Sequence, residues 1–410
     1  MFGRVRSWRP APIRGGTMSA HEHVRRPGEP EPSGGLSRRR FSMLGAAVLG
    51  GASLPPPVTR PDSPSPPPPP PPSSSPSPGG TGPAAVPAGF VLSHEQFRTP
   101  DLLRFAELAQ RAGFSQVWTS DHSQPWQDNE GHAMFPWLTL ALVGERAPRL
   151  TYGTGVTCPL YRHHPSQVAQ AFASLGVLNP GRVFLGVGTG EALNELASTG
   201  RFGRYPERHD RLVEAIGLIR RLWTGERVTF KGRFYQTREF RLYDVPSPRV
   251  PIYVAASGPK SAYLAGRHGD GWVAQTKDIA DPRLRDAFAQ GARAAGKNPD
   301  TMPKLVETWV VVGGRAEADQ AARTWRFTVH GFGDLLYQPN PVTIQRLAEQ
   351  RWKLQQVYAG WPVGTDPEVH VKAVQRIVDL GGTPFVHSGQ TDQRRVIEFY
   401  GREVLPHVHR

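Results

Sequence analysis

Cysteine is almost absent from this chain: among 410 residues there is one, Cys158. A single thiol excludes an internal disulfide and any multi-cysteine metal site. Cys158 itself reads first as a small buried residue following a strand. Long apolar runs are missing as well. The weakly apolar stretch Met43 to Leu54 holds about a dozen residues, against the roughly 20 that span a bilayer as a helix. Neither the spacing of a Walker A loop nor that of the dinucleotide fingerprint occurs. The formal net charge is +14, yet ten arginines and only four acids precede Gly89, and the remaining +8 is spread without a Lys/Arg run. That distribution argues against a nucleic-acid partner and leaves attraction to an anionic envelope surface open. His163 and His164 are adjacent, His407 and His409 lie near the terminus, and none has a carboxylate at helical spacing, so no metal is assigned.

What is present falls into two parts. Residues 1–88 are rich in Pro, Gly and Ser and carry almost no apolar periodicity, whereas Gly89 onward reads as globular sequence. Within the first part, 1–35 reads as a disordered extension. Residues 36–54 combine Arg38-Arg39-Arg40-Phe41 with the short apolar run, the pattern of a twin-arginine export signal. Residues 55–88 contain Pro66 to Pro72, a stiff polyproline II spacer. No cysteine follows the apolar run, so the usual lipoprotein attachment is excluded, while an uncleaved segment would leave an anchor. The expected location is the cell envelope.

From 89 to 410 strand and helix signals alternate. Strands are expected at Phe90 to Ser93, Ser115 to Thr119, Thr151 to Val156, Val183 to Val187, Ile252 to Ala256, Gly271 to Gln275, Lys304 to Val312 and Pro384 to His387. Helical periodicity fills the intervals, and the β-prone segment Arg227 to Tyr243 reads as an insertion after the fourth helix. Eight strands so separated favour an α/β fold, a (β/α)8 TIM barrel, whose chemistry gathers at the C-terminal strand ends.

Those ends carry the candidate residues. After the second strand come Asp121, His122 and Trp126; after the third, Gly155, Val156 and Cys158; after the fourth, Gly188-Thr189-Gly190-Glu191 and Asn194. A further small-residue turn, Ser257-Gly258-Pro259, opens a helix where late barrel loops hold phosphate. Taken singly, Glu191 also reads as a helix-capping carboxylate, His122 as a structural histidine and the glycines as a tight turn. A base, an acid and an indole converging on one barrel face shift the balance towards a site.

Ser120-Asp121-His122-Ser123-Gln124-Pro125-Trp126, Ala169-Gln170-Ala171-Phe172-Ala173 and Arg182-Val183-Phe184-Leu185-Gly186-Val187-Gly188-Thr189-Gly190-Glu191-Ala192-Leu193-Asn194-Glu195 resemble the luciferase-like barrel oxidoreductases that use the deazaflavin coenzyme F420. The likeness runs from about Phe90 to Pro406 and includes the branch that oxidises glucose 6-phosphate. Val91-Leu92-Ser93-His94-Glu95-Gln96-Phe97 and Gly153-Thr154-Gly155-Val156-Thr157-Cys158-Pro159 resemble more closely an exported mycobacterial branch acting on hydroxymycolic acids.

The resemblance implies that His122 handles the substrate hydroxyl proton, Trp126 stabilises charge on the ring and Glu191 exchanges a proton with the ring nitrogen. It also implies a deazaflavin site lined by Asp121, Cys158, Thr189, Gly190, Asn194, Ser257 and Gly258, with a cis Gly155–Val156 peptide behind the ring. The chemistry expected is oxidation of a secondary alcohol of a cell-envelope lipid, hydroxymycolic to ketomycolic acid. Another F420-dependent alcohol or ketone enzyme, or a flavin monooxygenase of the same fold, is the alternative. Sugar phosphate is disfavoured: Lys277 lies near one place where the sugar-phosphate enzymes carry basic residues, but Thr328 to Pro339 holds no lysine and Tyr358 to Trp361 no arginine. Expected partners are a small-molecule or lipid substrate, the twin-arginine export machinery, a membrane surface touched peripherally, and a second copy in a homodimer.

Overall fold

The computed structural model describes residues 86–330 and 333–410. The expected extension, the export signal and the proline-rich spacer up to residue 85 lie outside the described residues. Eight strands close a parallel barrel in sequence order: β1 (Gly89–Leu92), β2 (Gln116–Thr119), β3 (Thr151–Thr154), β4 (Val183–Val187), β5 (Ile252–Ala255), β6 (Gly271–Gln275), β7 (Lys304–Trp309) and β8 (Thr383–His387). Closure comes from β8 pairing with β1 in the register Gly89↔Phe385 and Phe90↔Val386. The strands read as short apolar runs because parallel strands are covered on both faces; every residue of β1 and β4 is buried.

Two layers fill the structure. Inside the barrel, Val91, Trp118, Phe184, Leu305 and Phe385 pack together, with Trp118 stacked on Phe385 at 3.9 Å. The outer layer lies between strands and helices. Those helices begin where proline permits a first turn without an N–H to satisfy, as at Pro136–Arg146, Pro165–Leu178, Pro259–His268, Pro282–Ala294 and Pro367–Asp379. No described helix is long and apolar enough to cross a membrane.

The expected insertion after the fourth helix is an antiparallel hairpin, Val228–Lys231 with Gln236–Phe240. Two strand expectations are corrected. The third strand stops at Thr154 rather than Val156: the Gly155–Val156 peptide is cis, and Thr157 meets Val187 only in an isolated bridge. The run Lys304 to Val312 is not one strand: β7 ends at Trp309, and Val311–Val312 pairs instead with Val363–Gly364 in a separate parallel pair. Residues 310–382 thereby form a long excursion between β7 and β8. Its apolar cluster, Trp325, Phe327 and Leu335 with Trp126 and Leu193, sits over the C-terminal strand ends.

Candidate active site

The loop after β2 carries the first group. His122 is almost wholly buried, with Nδ1 3.5 Å from Oε1 of Glu95, which arrives from the loop after β1. The other oxygen of Glu95 accepts from Ser120 Oγ at 2.7 Å, which fixes the carboxylate beside the imidazole. The Trp126 ring lies 5.5 Å from the His122 ring and stacks on Phe327 at 4.6 Å. Its backbone N–H donates to Glu130 Oε2 at 2.7 Å. Burial pushes the Glu130 carboxyl well up, assisted by the charge of Glu95.

Behind this loop lies a buried charge network. Asp121 accepts from Trp137 Nε1 at 2.9 Å, Thr157 Oγ1 at 2.7 Å and Arg162 Nη2 at 2.8 Å, and His163 approaches at 3.6 Å. Burial would raise its carboxyl; His163, Arg162 and Thr157 outweigh that and hold it well below the usual carboxylate range. Arg162 also reaches Glu195, 3.9 Å away and wholly buried, whose Oε2 accepts from the Tyr161 and Arg162 backbone amides at 3.0 and 2.9 Å. Burial, with Glu195 and Glu191 nearby, pushes the Cys158 thiol well up, leaving a protonated, unreactive side chain. Asn194 Oδ1 accepts from the Ser123 N–H at 2.8 Å and so joins the loops after β2 and β4.

In front of that network is a cavity of about 510 Å³, lined on this side by Gly155, Val156, Thr189, Gly190, Glu191 and Ser257. The glycines are required by space: a Cβ on Gly155 would meet the Trp118 ring at 2.7 Å. Gly190 has φ +73° and a Cβ there would meet Cys158 Sγ at 2.5 Å. At its two glycines this wall is bare backbone, which lets a ligand approach closely. His122, Trp126, Glu191, Gly155, Val156, Thr189, Gly190 and Ser257 all face the cavity. Asp121, Cys158, Asn194 and Gly258 are not among its lining residues; the first three stand one layer behind, and Gly258 caps the following helix, its N–H donating to Ser261 Oγ at 3.2 Å.

The opposite wall is aromatic. Trp309 stacks on His387 at 3.7 Å and on Trp361 at 5.2 Å, and Trp325 meets His387 edge-on at 4.9 Å. Beneath the rings runs a second polar chain, Ser93 Oγ to His387 Nε2 at 2.6 Å, His387 Nδ1 to Glu307 at 2.8 Å, and Gln275 to Glu307 at 3.1 Å. Burial would raise the Glu307 carboxyl, but His387, Gln275 and the charge of Lys277 outweigh it and bring it down. Lys277 therefore shares the cavity with the Glu307 carboxylate, which offsets its charge. Among the described residues no group of three or more His, Cys, Asp or Glu is placed to hold a metal ion.

Sequence reasoning missed Glu95, Arg162, Glu195, Glu307 and His387. Glu95 sits inside a motif quoted above, three residues beyond the end of β1, and that position was the available signal. For the pairing of Glu307 with His387, 80 residues apart, local sequence offers none.

Comparison with known proteins agrees with this geometry. Residues 79–382 match the family model of the luciferase-like monooxygenases. An F420-dependent hydroxymycolic acid dehydrogenase of Mycobacterium tuberculosis is 54% identical over 382 residues, covering 91% of this chain and 99% of that protein. An F420-dependent glucose-6-phosphate dehydrogenase of Mycolicibacterium gilvum is 38% identical over 341 residues, covering 79% of this chain and 98% of that one. Among solved structures, an F420-dependent secondary alcohol dehydrogenase in complex with an F420-acetone adduct superimposes with TM-score 0.74 at 30% identity, covering 80% of this chain and all of the other. With a closed eight-stranded barrel, a backbone-lined cavity at its C-terminal end and these matches, the chain belongs to the luciferase-like family.

Proposed function

We propose that this chain is an exported F420-dependent dehydrogenase that oxidises the secondary hydroxyl of a cell-envelope lipid, hydroxymycolic acid, to the ketone. The observation that carries the reading is one cavity with the Glu95–His122 pair, a glycine wall bearing Glu191, and a facing wall of indoles. The relatives' activities support it, as does the acetone adduct held by a barrel of the same shape.

When bound, the deazaflavin supplies the acceptor for hydride. The chain's residues do the rest. His122 takes the hydroxyl proton, and Glu95 beside its Nδ1 stabilises the imidazolium that results. Trp126 is clamped by Phe327 and by the Glu130 bond to its own amide, so its indole keeps one orientation beside the imidazole. Glu191 holds or releases a proton at the glycine wall, and Asn194 steadies its loop. Trp309, Trp325 and Phe327 exclude water and offer apolar surface to an alkyl chain.

The export route rests on the twin-arginine pattern at Arg38 to Phe41. The match to the M. tuberculosis protein covers 91% of the chain, more than the barrel alone spans. Peripheral membrane contact and homodimerisation belong to the same proposal and follow from the lipid substrate and the family resemblance. The deciding experiment mixes the purified protein with F420 and follows the oxidised deazaflavin band on adding hydroxymycolate, with glucose 6-phosphate as control. Bleaching with the lipid alone is expected; bleaching with the sugar phosphate alone overturns the substrate assignment.

A further inference from the structure

Arg208 is an unusual residue to find sealed inside a protein. It sits in the first turn of the helix Tyr205–Leu222 and is 1% exposed. Nη1 donates to the Gly203 carbonyl at 2.6 Å, and Nε has no partner. The nearest carboxylate in sequence, Glu207, is already taken by Arg211 at 2.8 Å and by the Tyr161 hydroxyl at 3.0 Å. The other deeply buried guanidinium at this barrel end, Arg162, is met by Asp121 at 2.8 Å. Around Arg208 stand rings instead: Phe202 at 4.1 Å, Tyr337 at 5.6 Å and Tyr205 at 6.0 Å. Ring faces attract a cation without neutralising it. A desolvated charge left uncompensated is costly, and a protein keeps one where a ligand supplies the counter-charge. Arg208 lines the same cavity as Ser257, Ser261 and Tyr205.

We infer that Arg208 is an oxyanion subsite of the cavity, taking a phosphate or carboxylate group of a bound ligand through the planar donor edge that a guanidinium offers. The inference rests on the cavity being the F420 and lipid site proposed above. Two ligands bring that chemistry. F420 carries a phosphodiester and a glutamyl tail that the bare deazaflavin riboside FO lacks, and a mycolic-type substrate carries its own carboxylate.

The test uses the full chain as wild type, Arg208→Met and Arg208→Lys, titrated with F420 and with FO by deazaflavin fluorescence. In parallel, a long-chain fatty acid and its methyl ester are compared for their shift of the unfolding midpoint. Arg208→Met is expected to lose tenfold or more in F420 affinity while binding FO as the wild type does, with Arg208→Lys recovering part. Equal FO binding also certifies that the variant is folded. Unchanged F420 affinity, with loss of the preference for acid over ester, assigns the anion to the substrate and still upholds the subsite. Survival of both preferences in Arg208→Met overturns it. If the wild type binds neither F420 nor FO, the cofactor reading fails on its own account, and the acid-ester comparison alone decides the role of Arg208.

Discussion

The two walls of the cavity are built by opposite means. The glycine wall after β3 and β4 is thin backbone, and it is kept in place from behind by Asp121, Arg162 and Glu195, whose hydrogen bonds leave little freedom. The facing wall is made of Trp309 at the end of β7 with Trp325 and Phe327 from the excursion that follows, backed by Trp361 stacked on Trp309, and ring packing tolerates changes of size. Directional bonds sit where a proton and a hydride must travel a set distance. Adaptable apolar surface sits where an alkyl chain must lie. The contrast teaches that chemistry and substrate choice are separable here, and it can be broken or sharpened by substitution.

The largest expected effect is on turnover. Exchanging His122→Ala or Glu191→Gln should lower kcat by about 10²–10⁴-fold, as for loss of a general acid or base, while F420 affinity stays near the wild-type value. Single-turnover bleaching beside equilibrium titration reads both; a parallel collapse of affinity would mean that these residues build the wall rather than act in it. Next comes the network. Arg162→Gln leaves Asp121 and Glu195 buried without their shared cation and should cost about 3–5 kcal/mol of stability, read from the denaturant midpoint. An unchanged midpoint would show that the network does not hold the glycine wall.

A third prediction concerns His94, fully buried beside Glu95, with neither ring nitrogen bonded to a partner. Burial lowers its pKa from 6.5 to about 4, against the opposing pull of Glu95 and Asp121. The unfolded chain takes up a proton near pH 6.5 and the folded one only near pH 4, so stability falls as pH drops through that window. At 1.36 kcal/mol per pH unit the loss approaches about 3 kcal/mol. His94→Leu should flatten that slope, and unfolding titrations at several pH values will show whether it does. The smallest effect belongs to the aromatic wall. Trp309→Ala should raise KM for a long-chain alcohol by about tenfold, from roughly 25 cal/mol for each Å² of lost apolar contact, and leave F420 affinity alone. A change confined to kcat would place Trp309 with the chemistry instead.

Legibility in the sequence followed the same divide. The barrel strands and the residues at the ends of β2 to β4 could be read because short apolar runs, glycine turns and the Asp121-His122 pair are local signals. The run Lys304 to Val312 misled because β-propensity does not say which partner a strand has: the β7 ladder ends at Trp309, and Val363–Gly364 then claims Val311–Val312. Glu195 was invisible as a counter-charge because its neighbours Arg162 and Cys158 come from a different barrel loop. The second His–carboxylate pair, Glu307 with His387, joins β7 to β8 and exists only once those two strands pair.

The direction of the strands has a practical side. The chain enters β1 at Gly89, on the rim away from the cavity, and Ala88 is bonded there to Ser115 and Gln116. A linker attached to an exposed residue of that same rim, such as Arg149 just ahead of β3, leaves the barrel on the face away from the cavity. An immobilised form coupled through that face would present its catalytic mouth outward, with no need to redesign the loops that surround it.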